Sequence, residues 1–201
     1  MGILQEGLIN ETPVYREVEL IPEGIVSERL DHLSKWVEQE YQDKNVLVVV
    51  VLKGGIFVGS ELMRRSTLSD IEFDIIGISN SNGQSTGKDP KIWLDPTNTI
   101  KGRHVLIVDD IIDKGWSAKC AIEYLKKGGA ESIQMLTLLD KRENREVEVG
   151  IPIKVGFIIP GRCWVEGCGL DTGEKGRQGG NVRYRQSNSA PIPETPYIIP
   201  D

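Results

Sequence analysis

Seven consecutive apolar residues, Val46-Leu-Val-Val-Val-Val-Leu52, leave this chain little freedom in how it can fold. A strand with one wet face alternates apolar and polar positions. This run has no polar position at all, so it reads as a strand covered on both faces, as in a parallel sheet layered by helices. It is the longest apolar stretch in the chain and far shorter than the ~20 residues needed to span a bilayer. His104 to Val108, Ser132 to Leu139 and Val155 to Ile159 read as further strands, Ile71 to Ile78 is a second apolar run, and Val14 to Val18 is strand-like. Between the runs the spacing becomes helical. From Pro22 onward Ile25, Val26, Leu30, Leu33, Val37 and Tyr41 recur at three- to five-residue steps, in a helix that begins near a proline. Ile56 to Arg65 and Ala118 to Lys127 repeat the pattern, the latter stopped by Gly128-Gly129. Strands alternating with helices predict an α/β fold with a doubly wound, mainly parallel sheet.

The 201 residues fit a single domain, and the 39% apolar fraction with 22 glycines supports a full core. Thirty acidic against 24 basic side chains give a net charge of −6, which counts against a general nucleic-acid binder. Cys120, Cys163 and Cys168 are too few for a disulfide scaffold, and the Cys163/Cys168 spacing matches no metal-site pattern; a reducing compartment is expected. The first thirty residues show no basic start followed by an apolar run, so the expected location is cytoplasmic, with no membrane partner. Residues 79 to 101 are polar, long and glycine-bearing, and read as a functional lid or a disordered insert. Within them Gly83-Gln-Ser-Thr-Gly-Lys88 superficially suggests a P-loop, but it is one residue short, lacks the following Ser/Thr and has Pro90 where a helix should start.

The segment richest in chemistry is Val105-Leu-Ile-Val-Asp-Asp-Ile-Ile-Asp-Lys-Gly-Trp-Ser117. In an open α/β sheet, ligands bind beyond the carboxyl ends of the strands, which is where Asp109 and Asp110 emerge. Adjacent carboxylates repel unless cations or hydroxyls offset the cost, as a ribose diol with Mg²⁺ would. Asp113 to Ser117 then turn into a helix whose first N–H groups are unpaired and suit a phosphate monoester. Gly115 permits close backbone approach, and the Ser117 hydroxyl can cap the helix or bond the phosphate. The bland alternative is a strand ending in acids before a capped helix.

The whole string closely resembles the 5-phosphoribosyl-1-diphosphate (PRPP) signature of the type I phosphoribosyltransferases, with Asp-Lys-Gly-Trp-Ser where that family has Asp-Thr-Gly-x-Thr. Leu52-Lys53-Gly54-Gly55 resembles the segment that presents backbone N–H groups to pyrophosphate in hypoxanthine-guanine phosphoribosyltransferases, where the peptide matching Lys53-Gly54 can turn cis. Leu138 to Arg142, Gly156 to Pro160, Trp164-Val165 and Gly169 to Arg177 follow the purine end of the same family. Taken singly, Lys141-Arg142 could be a solvated element end and Trp164 a core aromatic.

The resemblance covers roughly residues 14 to 180 and implies a type I phosphoribosyltransferase fold. The core would span about 22–160, a small hood about 1–21 and 161–190, a tail 191–201, and a flexible lid loop would carry Ser79 and Asn80. It implies transfer of ribosyl 5-phosphate from PRPP to a 6-oxopurine (hypoxanthine, guanine or xanthine) in purine salvage, by a homo-oligomer, dimer or tetramer. Asp109, Asp110, Asp113, Lys114, Gly115, Trp116 and Ser117 would bind the ribose and phosphate, and Lys53, Gly54 and Arg177 the pyrophosphate. Lys141, Trp164 and Val165 would hold the base, Asp171 with Asp109 and Asp110 would serve Mg²⁺, and Asp113 would be the general base or the partner of purine N7. Lys141 offers only donors, which disfavours adenine. The sequence departs from the family at Lys114 and Ser117, at Asn80, in one extra residue between Pro160 and Asp171, and at Thr172 and Gly173. The rival on the same fold is a non-catalytic regulatory RNA-binding protein, against which the acidic charge and the intact Trp164 and Asp171 positions count.

Overall fold

The computed structural model describes residues 15–80, 88–187 and 196–201. In chain order the elements are β1 (Tyr15–Ile21), α1 (Glu23–Tyr41), β2 (Val46–Leu52), α2 (Gly55–Arg65), β3 (Glu72–Asn80), β4 (Pro90–Leu94), β5 (His104–Ile112), α3 (Trp116–Lys127), β6 (Ser132–Asp140), a 3-10 turn (Arg142–Asn144), β7 (Ile153–Ile158), β8 (Val165–Glu166) and β9 (Val182–Ser187). Six strands form one sheet in the order β4-β3-β2-β5-β6-β7. All its pairings are parallel except that of β4 with β3.

The uninterrupted apolar character of β2 has a direct cause in this arrangement. Val46, Val48 and Val50 pack with Leu30, Leu33 and Val37 of α1 and Val58 and Leu62 of α2. Leu47, Val49 and Val51 point the other way, against Ala118, Ala121, Ile122 and Leu125 of α3. Because successive side chains alternate faces, a strand with helices on both sides needs an apolar residue at every position. From β2 the chain first moves outward to β3, and β5, β6 and β7 then fill the opposite side. The carboxyl ends of β2 and β5 therefore flank the point where the winding reverses, the crevice in which such sheets bind ligands.

Three local expectations change. The polar stretch 79–101 is not one long loop: β3 continues through Ser79 and Asn80, and Pro90–Leu94 returns antiparallel beside it. Proline at the first position of an edge strand costs no ladder bond, which is how a loop-like composition can still pair. The strand also removes the helix a P-loop would need after Lys88. The tip, with Gly83 to Gly87, lies outside the described residues, as do residues 1–14 and 188–195 of the expected hood and tail. Helix α3 starts at Trp116, one turn of loop being closed by Gly115 with φ 92° as its N-cap, so Ser117 lies inside the helix and does not cap it. Finally, the described end of the expected tail, 196–201, is extended and anchored to the large sheet. Ile198 exchanges backbone hydrogen bonds of 2.9 and 2.8 Å with Ile158 of β7, and Arg29 donates to the Pro200 carbonyl at 2.6 Å.

A second sheet, β1-β9-β8, is antiparallel throughout. It places Trp164 and Val165 above the carboxyl ends of the large sheet, on the rim of the same crevice. No helix is long and apolar enough to cross a membrane among the described residues.

Candidate active site

A cavity of about 340 Å³ opens at the winding reversal. Its walls include Lys53 and Gly54 from the end of β2, Asp109 to Ser117 from β5 and the start of α3, Lys141 beyond β6, and Trp164, Val165, Asp171 and Arg177 from the second sheet and its turns. Every residue expected to bind PRPP, pyrophosphate, base or metal thus lines one space. Ser79 and Asn80, the expected lid positions, extend β3.

Asp109 and Asp110 are both buried at the end of β5. The Asp110 N–H donates to Asp109 Oδ1 at 2.9 Å, and the Ile111 N–H to Asp110 Oδ1 at 2.9 Å. Burial pushes the Asp109 carboxyl well above the usual carboxylate range, and the neighbouring charge of Asp110 pushes it further. Asp110 is also raised by burial, an effect opposed by hydrogen bonds from its neighbours and by the Arg177 guanidinium. A cation or a diol arriving here would relieve that cost. Gly54 is what allows Asp110 this position: a Cβ at residue 54 would lie 1.8 Å from Asp110 Oδ2. The neighbouring Leu52–Lys53 peptide is cis, one bond earlier than the Lys53–Gly54 bond to which the sequence pointed.

At Asp113 to Ser117, the loop expected to bind phosphate, the start of α3 lines the cavity and its first N–H groups carry no side-chain cap, an arrangement that suits an anion. The departure at Lys114 has a local partner. Its Nζ lies 2.8 Å from Glu146 Oε1, and Glu146 Oε2 accepts the Trp116 indole N–H at 3.1 Å. Asp113 sits between that loop and the Lys141/Trp164 wall, with its side chain 41% exposed and Oδ2 3.7 Å from Lys141 Nζ. Lys141 is itself buried, which pulls its ammonium pKa down, while Asp113 opposes that shift. Trp164 is 47% exposed, with Lys141 Nζ 6.0 Å from its ring centroid. Its indole N–H donates to Thr172 Oγ1 at 2.5 Å, so the unusual threonine after Asp171 orients the aromatic plate.

On the side expected to take pyrophosphate, Arg177 pairs with Asp171 Oδ1 at 2.8 Å and donates to the Gly169 carbonyl at 2.6 Å. Glu174 joins Arg177 at 3.2 Å and Lys53 at 3.0 Å, drawing the two cations to one point. Glu174, Glu146 and Asn144 were not singled out from sequence, and Thr172 was noted only as a departure from the family, without a role. For Glu174 a signal existed, because Asp171, Glu174 and Arg177 stand at three-residue steps; for Asn144, in the polar run Arg142 to Glu146, there was none. Among the described residues no group of three or more His, Cys, Asp or Glu side chains could hold a metal unaided.

The phosphoribosyl transferase domain matches residues 23–171. The chain is 37% identical to the hypoxanthine phosphoribosyltransferase of Haemophilus influenzae over 168 residues, covering 81% of this chain and 92% of that protein. It is 35% identical to the bifunctional protein TilS/HprT of Listeria monocytogenes over 159 residues, 79% of this chain, but spans only 24% of that relative's length. The crystal structure of a hypoxanthine-guanine phosphoribosyltransferase from Bacillus anthracis superimposes with a TM-score of 0.76 at 27% identity, covering 87% of this chain and 100% of that one. On sequence, fold and the domain matched, the chain belongs to the phosphoribosyltransferase family, in its hypoxanthine-guanine branch.

Proposed function

We propose that this protein transfers the 5-phosphoribosyl group of PRPP to a ring nitrogen of a 6-oxopurine, forming the nucleoside 5′-monophosphate and pyrophosphate in purine salvage. The observation that carries the reading is one cavity in which a helix N-terminus, a buried acid pair, a lysine beside an exposed tryptophan and the cations Lys53 and Arg177, bridged by Glu174, meet. Each matches one part of the reaction. The N–H groups of α3 and Lys114 take the 5′-phosphate, Asp109 and Asp110 orient the ribose diol, and Lys53, Gly54 and Arg177 take the leaving pyrophosphate.

The C1 to pyrophosphate bond breaks with its electron pair going to oxygen, and the ribose becomes oxocarbenium-like above the two acids. The purine nitrogen supplies the pair for the new bond, and Asp113 accepts the proton or hydrogen bond at N7. Trp164 offers a stacking face, and Lys141 donates to the 6-oxo group; having no acceptor, it disfavours a 6-amino purine.

The donor set fits Mg²⁺ as a hard cation that shares its oxygens with substrate: the buried Asp109/Asp110 pair is short of counter-charge, and Asp171 adds a carboxylate at the cavity wall. Bound there with substrate, Mg²⁺ would neutralise charge on the leaving pyrophosphate. The same reading makes the protein a cytoplasmic homo-oligomer, dimer or tetramer, which light scattering in solution measures. Pyrophosphate release from PRPP with hypoxanthine, guanine, xanthine and adenine in turn tests the activity. Turnover with one or more 6-oxopurines and none with adenine is expected; no turnover with any base overturns the reading.

A further inference from the structure

The half-exposed carboxylate of Asp113 is held from two sides. Lys141 approaches Oδ2, and the Asn144 side-chain amide donates to Oδ1 at 2.8 Å. The same Nδ2 donates to the Gly161 carbonyl at 2.9 Å. A primary amide carries two N–H groups, and both are used here. Position 161 is shaped for this contact, since a Cβ there would lie 2.1 Å from Asn144 Oδ1. The Gly161 N–H in turn donates to Glu143 Oε2 at 3.0 Å, and Arg145 donates to the Asp113 carbonyl as well as to Asp140 Oδ1 at 2.6 Å. The short turn Arg142–Asn144 is therefore clamped between the Asp113 loop and the stretch that leads to Trp164.

We propose that Asn144 is a positioning residue for the transfer reaction. Its amide fixes the rotation of the Asp113 carboxylate and, through Gly161, ties that rotation to the segment that leads to the stacking tryptophan. Without it one carboxylate oxygen faces solvent and turns freely, and the proton acceptor loses its aim at the purine ring. This rests on the reading of Asp113 as the group that serves the base. The side-chain hydrogen bonds of Asn144 go to Asp113 and Gly161 and its backbone N–H to the Lys141 carbonyl, none of them to Lys53, Gly54, Lys114 or Arg177, so its effect belongs in turnover and not in PRPP binding.

A double-mutant cycle of Asn144→Leu with Asp113→Asn, reading kcat and the KM for PRPP, tests this. Expected for Asn144→Leu alone is a kcat about 10- to 100-fold lower, the scale of a lost hydrogen bond to a charged group, with the KM for PRPP within about twofold. In the Asp113→Asn background the same substitution should change kcat less than about twofold. An equal loss in both backgrounds, or a rise in the KM for PRPP that accounts for the loss, gives Asn144 a merely structural role and overturns the proposal. Full turnover of Asp113→Asn alone instead removes Asp113 from the mechanism, a separate failure. Asn144→Asp keeps the shape while replacing the donor by an acceptor, and run through the same cycle it must show the same dependence on Asp113; it decides the matter if the leucine variant does not fold.

Discussion

The strand-end rim of the cavity and the rim formed by residues 164–177 hold their functional groups by different means. At the first, Asp109 and Asp110 project from β5, which is hydrogen-bonded to β2 on one side and β6 on the other, between two apolar layers. At the second, Asp171 and Glu174 are held by ion pairs with Arg177, Glu174 also pairs with Lys53 reaching across from the end of β2, and Glu174 sits at φ 68° on a tight turn. A buried strand end cannot move without disturbing the core, whereas ion pairs reached by solvent, as those of Glu174 are, hold weakly and loosen with salt. In the proposed reaction the ribose side of the site is thus preset by folding, and the grip on the leaving group is adjustable.

Asp113, at the junction of the two rims, is where a single change should cost most. Asp113→Asn should lower kcat by about 10²- to 10⁴-fold with PRPP affinity little changed, as read by steady-state kinetics beside PRPP titration. Gly54→Ala attacks the preset rim. The new methyl meets the Asp110 carboxylate, so a loss of about 1 to 3 kcal/mol is expected, seen as a lower Tm together with weaker PRPP binding. A wild-type Tm in that variant would show this rim to be as adjustable as the other.

Trp164→Ala should raise the KM for the purine by roughly tenfold, from about 1 to 3 kcal/mol of stacking, and leave the KM for PRPP nearly as it was. The buried acids make a pH prediction for the metal-free, substrate-free protein. Asp109 is raised in the folded state, so it holds a proton that the unfolded chain has lost above the ordinary carboxylate value of 3.8. Its stabilising contribution is complete below that value and is lost as pH rises through the folded-state pKa. Thermal melts should therefore fall in Tm over that window, and Asp109→Asn should flatten the fall and raise Tm at neutral pH. Smallest is Glu174→Gln: freeing Lys53 and Arg177 from an exposed carboxylate should change the KM for PRPP by less than about fivefold and blunt its dependence on salt.

Much of the fold was legible because its signals are local. The step pattern of Val26, Leu30, Leu33 and Val37 marks α1, and the unbroken run of β2 announces helices on both faces before either helix is placed. What was not legible depends on a partner elsewhere in the chain. Pro90–Leu94 is a strand because β3 offers it an edge, and Ile198 pairs because β7 ends the sheet there. The capping of α3 by Gly115 in place of Ser117 is a backbone choice that composition does not announce.

The same division runs through the site. Asp109, Asp110 and Asp113 to Ser117 are contiguous, so one strand and the helix after it carry them to the crevice together, and residue order alone determined their chemistry. Lys53, Lys141, Trp164, Asp171 and Arg177 came from four separate stretches, recognisable by resemblance, but their meeting in one cavity was decided by the reversal of winding between β2 and β5. Asn144, Thr172 and Glu174 acquire their roles only there. A short polar side chain is informative through what lies within about 3 Å of it, and hydrogen-bond range across the sequence is set by tertiary packing alone.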